Sequence, residues 1–454
     1  MSVGVDESST SVRSDWRVRL TAGAWLVAMV VTVLVVLSWS RDGLIDLRVY
    51  RTGGAAWLAD VRLYADQFPK PLDGPALPFT YPPIAAVLFG LLALLPWPAA
   101  VVGWTAAGLV LLTVACLVSA RQVYGPGPAA AVVGMGVAAV SVLFEPVQAT
   151  LGFGQVNLVI LGLVVADCLL PRTPWPRGLL IGLAAAIKLT PAIFVLFFLP
   201  RRQWRPVGTA AASFVGFGLL GFVLAPTDSR EYWLGALLDP SRVGGLPFVG
   251  NQSLNGMLIR IGLTDLPRLA VWALLGIAVL ALVWVTVLRT RRAGNDLAGL
   301  LAVAVGGLLI SPVSWSHHWV WIVPGVVLLT RAVWRRPQLA FAAAPLVAVF
   351  VDAPQWRLPH RDGLELRWQW WQQLAGNAYV WAGLGALVAL ALGWRVRAGQ
   401  ADPATGPATD PAADPAADRQ AGPDVGPDTG LPPDHDRPAV RHREAADPPG
   451  VSGS

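Results

Sequence analysis

The sequence predicts an all-α polytopic membrane protein with about twelve transmembrane helices. Three observations predict it. The 454 residues are 55% hydrophobic and only 14% charged, where a soluble domain would carry about a quarter charged residues. The mean hydropathy is +0.55. Apolar runs long enough to cross a bilayer, roughly 17–25 residues, recur along the chain.

The first expected span, 18–39, follows Arg13, Arg17 and Arg19. No small-residue cleavage site follows it, so it reads as an uncleaved span rather than a signal peptide. Further spans are expected at 83–96, 99–120, 129–145, 156–170, 178–199, 207–225, 269–290, 297–311, 318–334, 338–352 and 377–395. The run 83–96 is short and fits either a tilted helix or half of a hairpin with 99–120. Residues 1–17 form the expected N-terminal segment and 18–397 the membrane domain. Residues 398–454 repeat Pro, Ala and Asp with almost no large apolar residue, so they cannot offset chain entropy by burial and are expected to be a disordered tail.

Lys and Arg in short loops set orientation. With the N-terminus in the cytoplasm, Arg201-Arg202, Arg289 with Arg291-Arg292, Arg331 with Arg335-Arg336, and Arg395 with Arg397 all fall inside. Both termini are then cytoplasmic in a multi-pass plasma-membrane protein, and 40–82, 226–268, 311–317 and 353–376 face outward. Parity puts Gly154-Gln155-Val156-Asn157 inside, unless it dips into the membrane or a short span is miscounted. The net charge of +6 lies beside apolar runs, as topology signals do, so no nucleic-acid partner is expected. Cys116 and Cys168 each sit inside an apolar run and read as small buried hydrophobes. Many of the 21 tryptophans lie near span ends, among them Trp97, Trp315, Trp319, Trp368 and Trp370, as in an interfacial belt.

Five polar islands interrupt the apolar chain: Asp46 with its neighbours, Thr80-Tyr81-Pro82-Pro83, Gly154-Gln155-Val156-Asn157, Asn251-Gln252-Ser253, and Ser311 through Ser316-His317-His318-Trp319. Asp46 follows the first span closely. Desolvation there would disfavour its charged form and suit a general base. The local sequence alone favours a solvated helix-start carboxylate, and Asp42, Asp60, Asp66 and Asp73 share the loop. His317 and His318 are expected to contact a phosphate or make a structural hydrogen bond. Five histidines in the whole chain leave too few ligands for an expected metal site. Lys188 lies mid-span, where a charge is costly and implies function, with snorkelling as the alternative. Pro191 would free a backbone carbonyl around Ile187 and reshape the helix there. Asn251, Gln252 and Arg260 are expected to supply hydrogen bonds at the outer face. Asn251-Gln252-Ser253 also matches a glycosylation acceptor. Glu145-Pro146 adds a candidate intramembrane acid. Asp434-His435-Asp436 has a metal-binding pattern but lies in the low-complexity tail and reads as a composition accident. No Walker loop, dinucleotide fingerprint, H-E-x-x-H or nucleophile elbow occurs. An activated substrate arriving from the membrane is expected instead.

In order, Asp46-Leu47-Arg48-Val49-Tyr50, Pro78-Phe79-Thr80-Tyr81-Pro82-Pro83, Glu145-Pro146-Val147-Gln148 to Asn157, Gly182 to Lys188-Leu189-Thr190-Pro191, Asp239-Pro240-Ser241-Arg242, Asn251-Gln252-Ser253 and Ser311 to Trp319 resemble one family. It is glycosyltransferase family 87, the polyprenol-phosphate-mannose-dependent α-1,2-mannosyltransferases, and the resemblance covers roughly residues 18–395. It implies a C-type glycosyltransferase fold with its site at the outer face. It implies inverting transfer of mannose from a polyprenyl-phosphate-mannose donor to a glycolipid acceptor, such as a phosphatidylinositol mannoside or lipomannan, without a cofactor. Asp46 then matches the family's catalytic base. His317, His318, Lys188 and Arg260 would stabilise the donor phosphate, while Gln155, Asn157, Asn251, Gln252 and Tyr81 would bind donor or sugar. A C-type transferase of another lipid-linked sugar is the alternative enzyme. A lipid-linked sugar flippase or transporter is the alternative class, disfavoured because no internal repeat is visible.

Overall fold

Helix α1 (Glu7–Trp39) opens the bundle, and its C-terminal end marks the level at which the functional residues gather. In the computed structural model the described residues are 7–40, 43–65, 68–69, 77–239, 242 and 244–393. The tail 398–454, Arg395, Arg397, Asp42, Asp66, Asp73 and the Asp434-His435-Asp436 pattern lie outside them. From Glu7 onward the expected N-terminal segment is already part of α1.

Leu44 turns the chain after α1 by adopting φ 60 and donating its N–H to the Gly152 carbonyl at 2.8 Å. Helix α2 (Ile45–Leu58) follows and pairs with α3 (Pro83–Ala93). The contact is so close that a Cβ on Gly54 would lie 2.5 Å from the Phe89 carbonyl oxygen. Arg51 donates to the carbonyls of Leu92 and Leu95 and holds the far end of α3. Trp97, the first residue of α4 (Trp97–Tyr124), then donates its indole N–H to Ser40 O at 3.1 Å. The chain from 40 to 97 therefore leaves one end of the bundle and returns to it. The run 83–96 is not a crossing: eleven residues rise only about 16 Å against a hydrocarbon layer of about 30 Å. It forms a hairpin with α2, not with α4.

Helix α4 runs antiparallel to α1, with Trp25 bonded to Thr113. Helix α5 (Pro128–Ser141) returns and bends by 65° into α6 (Glu145–Phe153). Helix α7 (Asn157–Leu169) descends parallel to α4: Trp104 bonds Gly154 O near the top and Gln122 bonds Leu169 O near the bottom. Gly154–Asn157 thus stands at the same end as Asp46, which corrects the placement by parity.

A second correction restores the count. The expected span 178–199 is a helical hairpin. Helix α8 (Leu179–Ile187) starts beside Pro206 and Ala210, at the end of the bundle opposite Asp46. It stops at Lys188, which is extended at φ −150, ψ 126. Pro191 lacks an N–H and its ring would clash with the Ile187 carbonyl, so the helix cannot continue. A 3₁₀ helix, Thr190–Phe197, runs back along α13 (Asp296–Ile310). Ile193 faces Gly307, and Arg201 pairs with Asp296 at 2.6 Å. Lys188 is thereby the tip of a hairpin rather than the middle of a span.

Helix α9 (Trp204–Leu224) packs parallel to α8, and α10 (Pro226–Leu234) caps it at the Asp46 end. Helix α11 (Leu254–Arg260) precedes α12 (Asp265–Arg292), which packs antiparallel to α13. After a 3₁₀ helix at Ser316–Trp321 come α14 (Ile322–Arg335), α15 (Ala340–Asp352), α16 (Trp370–Gly376) and α17 (Ala378–Ala391). Among the described residues, the one β-type pairing is an isolated bridge between Asn251 and Trp315.

Among the described residues, four helices are long and apolar enough to cross a bilayer singly: Trp16–Trp39, Trp97–Tyr124, Trp204–Leu224 and Asp265–Arg292. Two bent pairs, α5 with α6 and α16 with α17, qualify together. The rest of the bundle uses shorter apolar segments instead of a dozen full-length spans. Its polarity is inverted as a lipid solvent demands: Phe341 is 86% exposed, whereas Asn251 and Gln252 are fully buried. Trp319, expected in an interfacial belt, is also buried.

The return of α3 to its starting end is testable. In a background lacking Cys116 and Cys168, single cysteines at Val61 and Leu95 are expected to react with an impermeant thiol reagent from the same side of sealed vesicles. Labelling from opposite sides would restore 83–96 as a crossing.

Candidate active site

Asp46 occupies the first turn of α2, where the helix dipole favours a carboxylate. Tyr50 lies one turn further on the same face. Gly154 (φ 69) ends α6 beneath α2, and a Cβ there would meet Leu47 Cβ at 2.6 Å. This close approach places Gln155 against the start of α2. The Gln155 side chain stands beside Asp46 and favours its ionised form. Its Oε1 accepts from Tyr50 at 2.9 Å and lies 3.3 Å from the Tyr81 hydroxyl. Tyr50 and Tyr81 hydroxyls are 2.8 Å apart. Each phenol has one proton, so the shortest consistent chain runs from Tyr81 to Tyr50 to the Gln155 carbonyl. That chain fixes the amide flip and leaves the NH₂ to hold the carboxylate. Burial pushes the Asp46 carboxyl up to about 6, against opposing pulls from the Gln155 hydrogen bond and the Lys188 charge.

Lys188 arrives from the opposite direction at the hairpin tip. Its Nζ donates to Asn157 Oδ1 at 3.3 Å, lies 3.0 Å from His318 Nε2 and stands 5.8 Å above the Tyr81 ring centre. For a charged lysine, His318 Nε2 must accept, which puts the ring proton on Nδ1. Asn157 Nδ2 and Thr150 Oγ1 both donate to the His317 carbonyl, at 2.9 and 3.0 Å. The His317 ring stacks edge-on against Phe153 and His318. Its Nε2 is buried and has no hydrogen-bond partner among the described residues. A cavity of about 60 Å³ touches Asn157, Lys188, Ser311, Ser314 and His318. A much larger one, about 1230 Å³, runs from Trp319 and Trp321 between α12, α13, α14, α15 and α17, among largely apolar side chains, to Arg289, Arg292 and Asn295.

The structure therefore brings Asp46, Tyr81, Gln155, Asn157, Lys188, His317 and His318 together. Gln155 and Asn157, expected to contact sugar, stand beside Asp46 and Lys188 respectively. The structure does not bring Asn251, Gln252 and Arg260 to Asp46. Asn251 bonds the Leu246 carbonyl and the Ser314 N–H, both at 2.9 Å. Gln252 donates to Val249 O and Gly376 O. Arg260 binds Asn377 Oδ1 and the carbonyls of Pro247, Phe248 and Asn251. These three clamp irregular backbone at the Asp46 end, and full burial of Asn251 removes it from any glycosylating enzyme. Tyr50 and Thr150 were not singled out by the sequence. The four-residue spacing from Asp46 to Tyr50 was the available signal. Thr150 had none.

An acid and a cation gathered at one end of an apolar helical bundle mark the candidate site of a membrane-embedded protein. The model of glycosyltransferase family 87 matches residues 79–312. The chain is 41% identical over 390 residues to the polyprenol-phosphate-mannose-dependent alpha-(1-2)-phosphatidylinositol mannoside mannosyltransferase of Mycobacterium tuberculosis, covering 81% of this chain and 90% of that one. It is 42% identical over 400 residues to the protein of the same description from Mycolicibacterium smegmatis, with the same coverage. The crystal structure of ArnT from Cupriavidus metallidurans bound to undecaprenyl phosphate superposes with a TM-score of 0.39 at 17% identity, covering 82% of this chain and 78% of that one. The chain belongs to glycosyltransferase family 87 and is a membrane glycosyltransferase.

Replacing Tyr50 by Phe strands the Val156 N–H and breaks the tyrosine relay. The expected loss is about 1–3 kcal/mol, read as a lower unfolding midpoint in detergent. An unchanged midpoint would show that the relay does not hold α2 to the 154–157 turn.

Proposed function

We propose that the protein transfers mannose from a polyprenyl-phosphate-mannose donor to a hydroxyl of a mannosylated glycolipid, forming an α-1,2 linkage with inversion. The observation that carries the reading is the gathering of Asp46 and the Lys188–His318 pair at one end of the bundle. The names of the relatives support the donor and the acceptor class. A fold of the C type goes with this reading.

The acceptor hydroxyl attacks the anomeric carbon, and its proton passes to Asp46. The bond from that carbon to the phosphate oxygen breaks, and polyprenyl phosphate leaves with the electron pair. Lys188 and the histidine turn stabilise the negative charge that develops on the phosphate. A lipid phosphate is already a competent leaving group, so no strong general acid is needed. The polyprenyl chain would lie along the large apolar cavity that starts next to His318. Tyr81 flanks both groups and would bound the sugar.

The site is assigned to the extracytoplasmic face of the plasma membrane and both termini to the cytoplasm. The clustering of Arg201, Arg202, Arg289, Arg291, Arg292, Arg331, Arg335 and Arg336 at the opposite end of the bundle supports this, because cytoplasmic loops retain Lys and Arg.

Purified protein with polyprenyl-phosphate-mannose and a mannosylated phosphatidylinositol is expected to yield an α-1,2-mannosyl product, and Asp46→Asn none. Product from the asparagine variant would remove Asp46 as the base. Transfer from a different polyprenyl-phosphate sugar alone would move the protein to another donor. Movement of labelled lipid across vesicles without covalent change would make it a transporter.

The pH profile follows from the position of Asp46. The base works ionised, so turnover should fall as pH drops through about 6. Gln155→Leu removes a hydrogen bond that favours the ionised form, so the acidic limb should move to higher pH. A limb that stays in place would detach Gln155 from the base.

A further inference from the structure

Glu145 is a carboxylate that the proposed chemistry does not use, yet it is bound more thoroughly than Asp46. It occupies the first residue of α6. Ser316 Oγ donates to its Oε1 at 2.7 Å, Trp356 Nε1 donates to the same oxygen at 2.9 Å, and Tyr379 OH donates to its Oε2 at 2.8 Å. Among the described residues it has no cationic partner. Three neutral donors and the α6 dipole hold the charge.

The donors come from three other elements. Ser316 immediately precedes His317 and His318 in the 3₁₀ helix, Trp356 belongs to the segment after α15, and Tyr379 opens α17. The histidine turn is thus tied down twice from α6 and α7. Glu145 grips Ser316, while Thr150 and Asn157 grip the His317 carbonyl. Thr150 and Asn157 constrain the backbone after Ser316. Glu145 alone in this set holds the side chain at the start of the turn, and the first 3₁₀ turn sets where the His318 ring points.

We propose that Glu145 is a positioning residue that holds His318 Nε2 against Lys188 and thereby shapes the anion subsite for the donor phosphate. This rests on the donor-phosphate role proposed above for that pair. Glu145 touches no reacting atom, so its effect must pass through His318.

The chemistry of the three bonds separates two substitutions. Glu145→Gln keeps one oxygen for Ser316 and Trp356, and its NH₂ can donate to a Tyr379 hydroxyl that reverses its role. Glu145→Ala leaves all three donors without an acceptor. Ser316→Ala removes only the bond to the turn and keeps the test open if Glu145→Ala does not fold.

Turnover and binding of polyprenyl phosphate alone, by tryptophan fluorescence, would be measured for these variants singly and with His318→Gln. Glu145→Gln should stay within about threefold of wild type. Glu145→Ala and Ser316→Ala should lower kcat by between about tenfold and a hundredfold, as small displacements of a reacting geometry do, with the acceptor KM unchanged. Both should weaken polyprenyl-phosphate binding. In the His318→Gln background each should add less than about threefold, because residues acting through one contact are not additive. Penalties that multiply in the double variants, or Ala variants with unchanged kcat and binding, would overturn the proposal while leaving the proposed function standing. A wild-type protein that binds no polyprenyl phosphate would overturn both.

Discussion

An ammonium group buried inside an apolar bundle must find acceptors there, because neither lipid nor apolar side chains can solvate it. Lys188 is that group, and the surroundings of the site are arranged to meet its need. Asn157 offers an amide oxygen, His318 offers a ring nitrogen, Tyr81 offers a π face, and Asp46 offers countercharge. Each of these groups is held by something else. Asn157 is held by the His317 carbonyl, and Asp46 by an amide that two tyrosines orient. The cation and the acid therefore keep a fixed opposition, with no direct ion pair between them among the described residues.

Broken helices make this convergence possible. A continuous span presents its polar groups to its own backbone and has none to offer. Where α5 bends into α6, where α6 stops at Gly154, where α8 stops at Lys188, and where Ser311 follows α13, backbone and short polar side chains become available at one level. Irregular backbone at membrane depth is tolerated only when protein covers it. The long helices α1, α4, α9 and α12 supply outer wall around these breaks, and Asn251, Gln252 and Arg260 use their hydrogen-bonding capacity on exposed carbonyls. Asn251, Gln252 and Arg260, in the segment before α12, are thus engaged with backbone, while Asp46, Lys188 and the histidine pair stand on shorter, interrupted elements.

Composition and apolar run length sufficed for the membrane class, because hydrocarbon imposes a length and polarity that no packing detail alters. The isolated polar islands were legible for a related reason: a polar group in an apolar run is costly and survives only with a purpose, so Lys188 and the histidine pair stood out, whereas Asp46 was separated from its loop neighbours only by the family resemblance. The topology was less legible. Two short apolar runs, 83–96 and 178–199, each looked like a span. The first folds back against α2, and the second is a hairpin broken before Pro191. The errors cancel for Arg201 and every later basic cluster, and they change the side only of the segments between 97 and 178, Gly154–Asn157 and the loops carrying Arg121, Arg172 and Arg177 among them.

By itself the sequence determined that this is a helical membrane protein whose apolar runs are interrupted by polar islands, and family order among those islands determined which enzyme class they suit. Only the tertiary structure decided which islands meet. Asn157 and Gln155 were distinguished from Asn251 and Gln252 by partners some thirty to more than a hundred residues away in the chain, among them Lys188, Tyr50 and Gly376. An amide beside a carboxylate, one that accepts from a lysine and one that plugs a stray carbonyl are the same residue type. What separates them is the direction in which each donor points once the helices have packed, and that direction is a property of the assembled bundle, not of any local run of residues.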